Sequence, residues 1–231
     1  MKSIITYLAA LLLTNSFVVT CLAKEITTNA VYMHNAPQWL SRVRVDKITD
    51  RIQMHMEWTI RRIHVYWHHS QEDFAKHHSF GPRARAITSK SQNTIRLGPQ
   101  LNNKNFDQIF AHELVHGISF QKYKGVIPLW LEEGLANYFA KKKRVNYKWL
   151  AQQTFPKDVR QMVHKASTSR KKAQYHYIAS QALAEMLAKK CDLNNLLRLS
   201  VERNMDTYIR NYCEISDLNT TFRKWVRAQS K

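Results

Sequence analysis

The chain has 231 residues and a formal net charge of +19, and 44% of its residues are apolar and 23% charged. This composition supports one domain with a hydrophobic core and excludes an intrinsically disordered chain. The excess of positive charge favours anionic surroundings, such as an anionic component of the cell envelope or an acidic protein. No zinc-finger or helix-turn-helix signature accompanies the charge, so we expect no specific nucleic-acid binding.

Residues 1–23 have the pattern of a signal peptide. Lys2 supplies the positive start, Ile4–Leu13 is apolar but too short to cross a bilayer, and Ala23 offers a small residue before a cleavage point. We therefore expect an exported protein, periplasmic or secreted, with a single mature domain over residues 24–231. Residues 18–21 also approximate a lipoprotein signal. Lipidation at Cys21, which would anchor the protein in the envelope membrane, is the alternative.

Two cysteines lie in the mature part, Cys191 and Cys213. Export places them in an oxidising compartment, where an even pair predicts a disulfide bond between neighbouring helices. The alternative is two separate buried thiols.

Residues 24–103 have a mixed strand and helix pattern. Arg42–Thr59 has apolar residues at helical spacing, whereas Ile63–Trp67 is short, β-branched and aromatic, which is typical of a buried strand. Ala84–Thr88 and Thr94–Leu97 flank a polar turn and predict a hairpin. The alternation in the second arm leads to the hypothesis that residues 93–97 offer a strand edge to an extended peptide.

Five histidines also fall in this part of the chain: His64, His68, His69, His77 and His78. The first two are four residues apart, but this spacing gives no chelate on a strand. We interpret the five as surface or core histidines, with a second metal site as the alternative.

From residue 104 to residue 231 the pattern is helical. Asn105, with Gln108 three residues later, resembles a capping box, and Pro128 suits the first position of a helix that runs to about Lys142. Further helices are predicted at Asp158–Ala166, Gln174–Lys190, Leu193–Arg203 and Leu218–Ala228. The predicted fold class is α+β, with a small mixed sheet in the N-terminal half packed on a helical C-terminal half.

The sequence HELVH at residues 112–116 carries the clearest chemistry. On a helix, His112 and His116 lie one turn apart on one face, so both imidazoles can bind one Zn²⁺. Glu113 is offset by one residue, which suits a general base more than a ligand.

A catalytic zinc site needs a third protein ligand. The segment WLEEGLANY at residues 130–138 begins fourteen residues after His116 and carries Glu132 and Glu133. Adjacent helix positions point about 100° apart, so only one of these carboxylates can face the metal. Spacing alone leaves both open.

Together, the two segments HELVH and WLEEGLANY resemble the gluzincin metallopeptidases, particularly the peptidase-MA-like proteins. The resemblance implies a thermolysin-type catalytic domain, a zinc cofactor, Glu133 as the third ligand and a peptide or protein substrate. It therefore predicts an exported zinc-dependent metallopeptidase with Glu113 as its catalytic base. We expect an endopeptidase, because no motif upstream of His112 clearly supplies an acidic anchor for a substrate's free amine.

The resemblance also implies a donor that hydrogen-bonds the oxyanion from a later helix. Among Tyr175, His176 and Tyr177, the last best matches the family's tyrosine. Asn137 lies one turn from Glu133 and is interpreted either as a partner of this ligand or as a polar surface residue. The competing function is a catalytically silent, basic binding protein of the same fold for an anionic polymer or a protein partner.

Overall fold

The computed structural model describes residues 23–140, 144–162, 169–202 and 205–231. Residues 1–22 lie outside this part of the chain. They include Cys21 and all of the proposed signal peptide except Ala23. Five strands form one sheet: β1 (Lys24–Thr27), β2 (Val31–Ala36), β3 (Ile63–Trp67), β4 (Ala86–Ser89) and β5 (Thr94–Leu97). Their order is β1-β2-β3-β5-β4, with β2, β3 and β5 parallel and the two outer strands antiparallel to their neighbours. The sheet is therefore mixed, as predicted.

Helices make up most of the rest of the described chain. They are α1 (Arg42–Met56), α2 (Gln71–Ala75), α3 (Phe106–Tyr123), α4 (Leu129–Phe139), α5 (Tyr147–Ala151), α6 (Arg170–Lys190), α7 (Leu193–Glu202), α8 (Met205–Asn211) and α9 (Leu218–Gln229). Seven of these nine helices follow residue 104, so the predicted α+β class with a helical C-terminal half is confirmed.

One face of the sheet forms part of the hydrophobic core. Alternate residues of the strands are buried there, for example Val65 on β3 and Ile95 on β5. α3 packs against β4 and β5, and α1 packs beside α3. The approach of α3 is close, because a Cβ on Gly117 would come within 2.7 Å of Ile63 Cδ1. This packing fixes the middle of α3 relative to the sheet.

The second half of the core joins α4 to α6. A Cβ on Gly134 would lie 2.5 Å from the backbone oxygen of Ser180 and 3.2 Å from Ala184 Cβ. Glycine is therefore required for the two helices to approach this closely. The contact places α6 next to the helix that carries Glu132 and Glu133.

The predicted disulfide bond between Cys191 and Cys213 is present, with the two Cα atoms 4.9 Å apart. It joins the C-terminal end of α6 to the residues after α8. Such a bond is typical of a non-cytoplasmic, oxidising environment. Within the described ranges, the structure contains no helix with the length and apolar character needed to span a bilayer.

Several predicted boundaries change. α1 ends at Met56 and not at Thr59, because Glu57 adopts a left-handed conformation with φ of 47° and caps the helix. α6 begins four residues before Gln174. Of the helix predicted at 158–166, the described residues form only a short 3₁₀ turn, Val159–Gln161.

Two predictions in the N-terminal half and at α3 are wrong. β5 lies between β3 and β4, so residues 93–97 offer no free edge, and β4 is the outer strand on this side. Asn105 precedes α3 but makes no capping bond to it. Its Oδ1 instead accepts a hydrogen bond from the backbone N–H of Asn102 at 2.8 Å.

Pro128 stands just before the first residue of α4, and the described part of that helix stops at Phe139. β1, β2, α2, α5 and α8 were not predicted.

Candidate metal centre

Two packed helices carry the site. α3 presents His112, Glu113 and His116 near its middle, and α4 presents Glu132 and Glu133 in its first two turns. The loop between the helices begins after the left-handed Lys124 and ends at Pro128. It is short enough to return the chain directly, so the first turns of α4 face the middle of α3.

Three side chains converge at this contact. His112 Nε2 lies 3.2 Å from His116 Nε2. Glu133 Oε1 lies 3.6 Å from His116 Nε2, and its Oε2 lies 3.7 Å from His112 Nε2. One ligand atom from each residue lies within 4.8 Å of the other two. We call His112, His116 and Glu133 the α3–α4 cluster; its residues could hold a metal ion.

The donor set of this cluster fits a metal cation. Glu133 Oε2 is buried and has no hydrogen-bond partner among the described residues. A buried carboxylate oxygen without a partner is rare in folded proteins, and a bound cation would satisfy it. Two imidazoles and one carboxylate also match the ligands that zinc takes in sites with an open position.

Glu132 contacts the other side of the same imidazole. Its Oε1 lies 2.7 Å from His116 Nδ1, and its Oε2 accepts a hydrogen bond from Lys90 Nζ at 2.7 Å. Since the side chain of Glu132 is only 3% exposed, these two groups provide its charge compensation. The geometry thus separates the two carboxylates that spacing left open: Glu133 joins the cluster, and Glu132 orients one of its histidines.

The charges around His116 change its proton affinity. Burial lowers the pKa of His116, but the carboxylates of Glu133 and Glu132 outweigh burial and raise this pKa to about 9. Burial alone would raise the pKa of Glu132. His116 and Lys90 lower this pKa by more than burial raises it, so the net shift is downward. Both shifts favour an imidazolium beside a carboxylate for this pair.

Glu113 lies beside the cluster but outside it. Its side chain is buried, and its Oε2 accepts a hydrogen bond from Thr88 Oγ1 at 2.6 Å. Burial raises the pKa of Glu113 above the ordinary value for a glutamate. Thr88 belongs to β4, so the outer strand of the sheet contacts this glutamate directly.

Tyr177 faces the same region from α6. Burial raises its pKa, and the carboxylates of Glu133 and Glu113 raise it further. The phenol therefore stays protonated at neutral pH and lies within electrostatic reach of both acids. Tyr175 differs, because the charged group that affects its pKa is Arg223. Of these two tyrosines, Tyr177 is the one whose pKa the acids of the site help to raise.

Asn137 is only 2% exposed, so its interpretation as a surface residue is wrong. Its Nδ2 has no hydrogen-bond partner in the described part of the chain. Within the described ranges, no hydrogen bond joins Asn137 to Glu133, so the alternative role as a partner of that ligand gains no support.

Sequence reasoning missed Thr88 and Lys90. Lys90 is 42 positions before Glu132, and no local pattern links them. The sequence offered one indirect signal for such a partner. When two adjacent carboxylates are both buried and one of them binds a metal, the other needs its own cation or hydrogen-bond donor.

A scan of the sequence against protein-family models matched none of them, and a search of the curated proteins found no relative. The chemistry of the cluster therefore has to follow from its own residues.

Proposed function

We propose that this protein is an exported zinc-dependent metallopeptidase of the gluzincin type, in which His112, His116 and Glu133 bind the metal. The convergence of these three side chains on one point, with Glu133 Oε2 buried and unsatisfied, carries the proposal. The chemistry that zinc supplies when bound is Lewis-acid polarisation of a carbonyl and a lowered pKa of water.

Glu113 is proposed as the general base. It is adjacent to the cluster, and its raised pKa brings it closer to the neutral range in which proton transfer is efficient. In this role it accepts a proton from the attacking water and later delivers it to the leaving amine. The hydroxyl of Thr88, which donates to Oε2, holds the carboxyl group in place.

Tyr177 is proposed as the oxyanion donor. Its pKa is raised above the ordinary value, so the phenol keeps its proton and can donate it in a hydrogen bond. The nearby acids disfavour a phenolate at this position and favour the neutral donor. Since α6 packs tightly on α4 at Gly134, the position of Tyr177 is tied to that of Glu133.

The outer strand β4 is the proposed binding edge for an extended peptide. Among the described strands it pairs only with β5, and its Thr88 contacts Glu113. A peptide that adds to β4 would therefore pass close to the proposed base. This replaces the earlier assignment of that role to residues 93–97. Endopeptidase action remains our expectation.

Export is supported by the disulfide bond, which is typical of oxidising compartments, and by the predicted signal peptide. A periplasmic or secreted location is consistent with both.

The decisive experiment compares cleavage of a peptide library by the wild-type protein and the Glu113→Gln variant. The variant should keep the zinc content of the wild type and lose about 10²- to 10⁴-fold in kcat, because only proton transfer is removed. Glu72→Gln is the matched control, since this side chain is 89% exposed on α2. Undiminished cleavage by Glu113→Gln would refute the mechanism.

The alternative is a catalytically silent basic binding protein for an anionic polymer or a protein partner. A wild-type protein that binds zinc but cleaves no library peptide would favour this alternative. A wild-type protein without zinc at the α3–α4 cluster would refute the proposed function altogether.

A further inference from the structure

A second group of metal-ligating side chains lies at the end of the sheet. It consists of His68, immediately after β3, Asp73 on α2, and His77, two residues after α2. We call these three residues the β3–α2 cluster. It shares no residue with the α3–α4 cluster. We propose that it is a second site for a divalent transition-metal ion, with zinc as the ion that its ligands suit best.

The geometry brings the three donors together. One ligand atom from each residue lies within 4.8 Å of the other two. His68 Nδ1 lies 2.5 Å from Asp73 Oδ2, and the ring centroids of His68 and His77 are 4.8 Å apart. Residues five and nine positions after His68 thus meet around it, because α2 turns the chain back on itself.

Burial supplies an independent observation. The side chain of His68 is only 7% exposed, and its Nε2 has no hydrogen-bond partner among the described residues. A buried imidazole nitrogen without a partner is uncommon, and a bound ion is one of the few ways to satisfy it. With the ion on Nε2, Asp73 on the opposite nitrogen fixes the ring and its tautomer, as carboxylates do behind many histidine ligands; with the ion on the Nδ1 side, Asp73 is itself a ligand.

The backbone around the cluster is held in place. The backbone N–H of His68 donates to Leu97 O at 2.9 Å, which ties it to the end of β5. The side chain of Ser70 accepts from the backbone N–H of Asp73 and caps α2. Phe74 is fully buried and lies close to Gly98, so α2 is anchored on the sheet between the ligands.

The two neighbouring histidines have other partners. The ring of His69 bonds to the backbone oxygen of Asn35 through Nε2 at 3.0 Å. His78 Nδ1 accepts from the backbone N–H of Phe80 at 3.1 Å. His78 Nε2 is also buried without a hydrogen-bond partner among the described residues, so it is the distance between donor atoms that assigns His68 and His77 to the cluster. His68 is buried and His77 is exposed, in agreement with the interpretation as core and surface histidines, and both also belong to the second metal site that was the alternative.

The donor set selects the class of ion. Two imidazoles and one carboxylate suit zinc and other first-row transition metals, whereas calcium and magnesium require mainly oxygen ligands. Asp73 is 51% exposed, so an ion can reach the cluster from solvent and keep water in its open positions. Such an ion would tie α2 to the end of β3.

The experiment first removes the α3–α4 cluster with His112→Ala/His116→Ala and then measures zinc by equilibrium dialysis and metal analysis. About one zinc per chain should remain. Adding His77→Ala should weaken the remaining zinc binding by more than about 100-fold. This loss would exceed the one expected for a residue that only orients a metal ligand. His69→Ala is the matched control and should leave binding unchanged. Calcium offered as the probe should not bind.

A second measurement covers the case in which the double variant fails to fold. Wild-type protein should bind two zinc ions per chain, and His77→Ala alone should bind one while keeping any peptidase activity. Zinc binding that is unchanged by both His77→Ala and Asp73→Asn would overturn the proposal. Since the readout is zinc content and not cleavage, failure of the proposed peptidase function would leave this result intact.

Discussion

The two candidate metal clusters contain the same residue types, two histidines and one carboxylate, but differ in their surroundings. The α3–α4 cluster lies between packed helices, and further side chains stand behind it: Glu132 behind His116, and Lys90 behind Glu132. In the β3–α2 cluster only His68 is buried, and the carboxylate of Asp73 is half exposed.

This difference matches the roles that we propose. Catalysis requires ligands and acid–base groups held in fixed orientations, with water controlled, and burial with hydrogen-bonded partners provides this. A partly exposed cluster built from a strand end and a short helix can bind an ion but offers little control of solvent. The predictions below test how strictly the α3–α4 cluster is positioned and how stable the helices around it are.

The largest effect is expected from the adjacent glutamates. Glu133→Gln removes an anionic ligand and should weaken zinc binding at the α3–α4 cluster by more than about 10³-fold, because the binding free energy of such sites is large. Glu132→Gln should cost about 10- to 100-fold, since it only weakens the orientation of His116. Zinc titration of both variants gives the ratio of their dissociation constants for zinc. Equal losses would contradict the distinct positions of the two carboxylates.

The next effect concerns stability of the helical half. Cys191→Ser/Cys213→Ser should lower the free energy of unfolding by about 3 kcal/mol, because the bridge closes a loop with a sequence separation of 22 residues. Urea unfolding gives the value. Zinc content of the β3–α2 cluster should not change below the unfolding transition, which serves as the internal control. A loss under about 1 kcal/mol would show that the bridge is dispensable.

A pair of glycines tests the packing behind the α3–α4 cluster. Gly134→Ala should destabilise by about 1–3 kcal/mol, because its Cβ would meet the Ser180 backbone, which cannot move cheaply. Gly117→Ala should stay within about 1 kcal/mol, since the atom it meets is the flexible end of Ile63 and alanine favours helix. Thermal unfolding compares them. The reverse order would mean that α4 and α6 can separate without cost.

The smallest effect is expected at Lys90, which contacts Glu132 and is therefore one residue further from the metal ligands. Lys90→Met leaves Glu132 with His116 as its remaining partner among the described residues. It should destabilise the protein by about 1 kcal/mol, because Lys90 is 33% exposed and water already screens part of its charge. Zinc binding at the α3–α4 cluster should weaken by less than about 10-fold. Lys76→Met is the control for loss of an exposed lysine. Lys90→Met/Glu132→Gln should be less destabilised than the two single changes together.

Local sequence patterns predicted several elements, to within a few residues, where periodicity or a chemical motif defines them. Ile63–Trp67 and Thr94–Leu97 are strands with the expected bounds, and residues 112–116 lie on a helix. The order of strands was not accessible, because β5 pairs in parallel with β3 across an intervening hairpin arm. Helix periodicity also could not say how α4 is rotated, and this rotation decides between Glu132 and Glu133.

The β3–α2 cluster shows the same limit more strongly. His112 and His116 are visible as a pair because four residues make about one helical turn. His68 and His77 are brought together by a one-turn helix that the sequence pattern did not predict. Ligands that meet through a turn have no fixed spacing, so the pair was hidden among five histidines.

The disulfide bond has a consequence for limited proteolysis of this protein. Because Cys191 and Cys213 are covalently joined, a backbone cut at any bond between them leaves two fragments that stay linked. α9 (Leu218–Gln229), which packs against α5 and α6, would stay attached to the chain after such a cut. A nicked protein would migrate as one chain on a non-reducing gel and separate into two only after reduction, so integrity of this region has to be judged under both conditions.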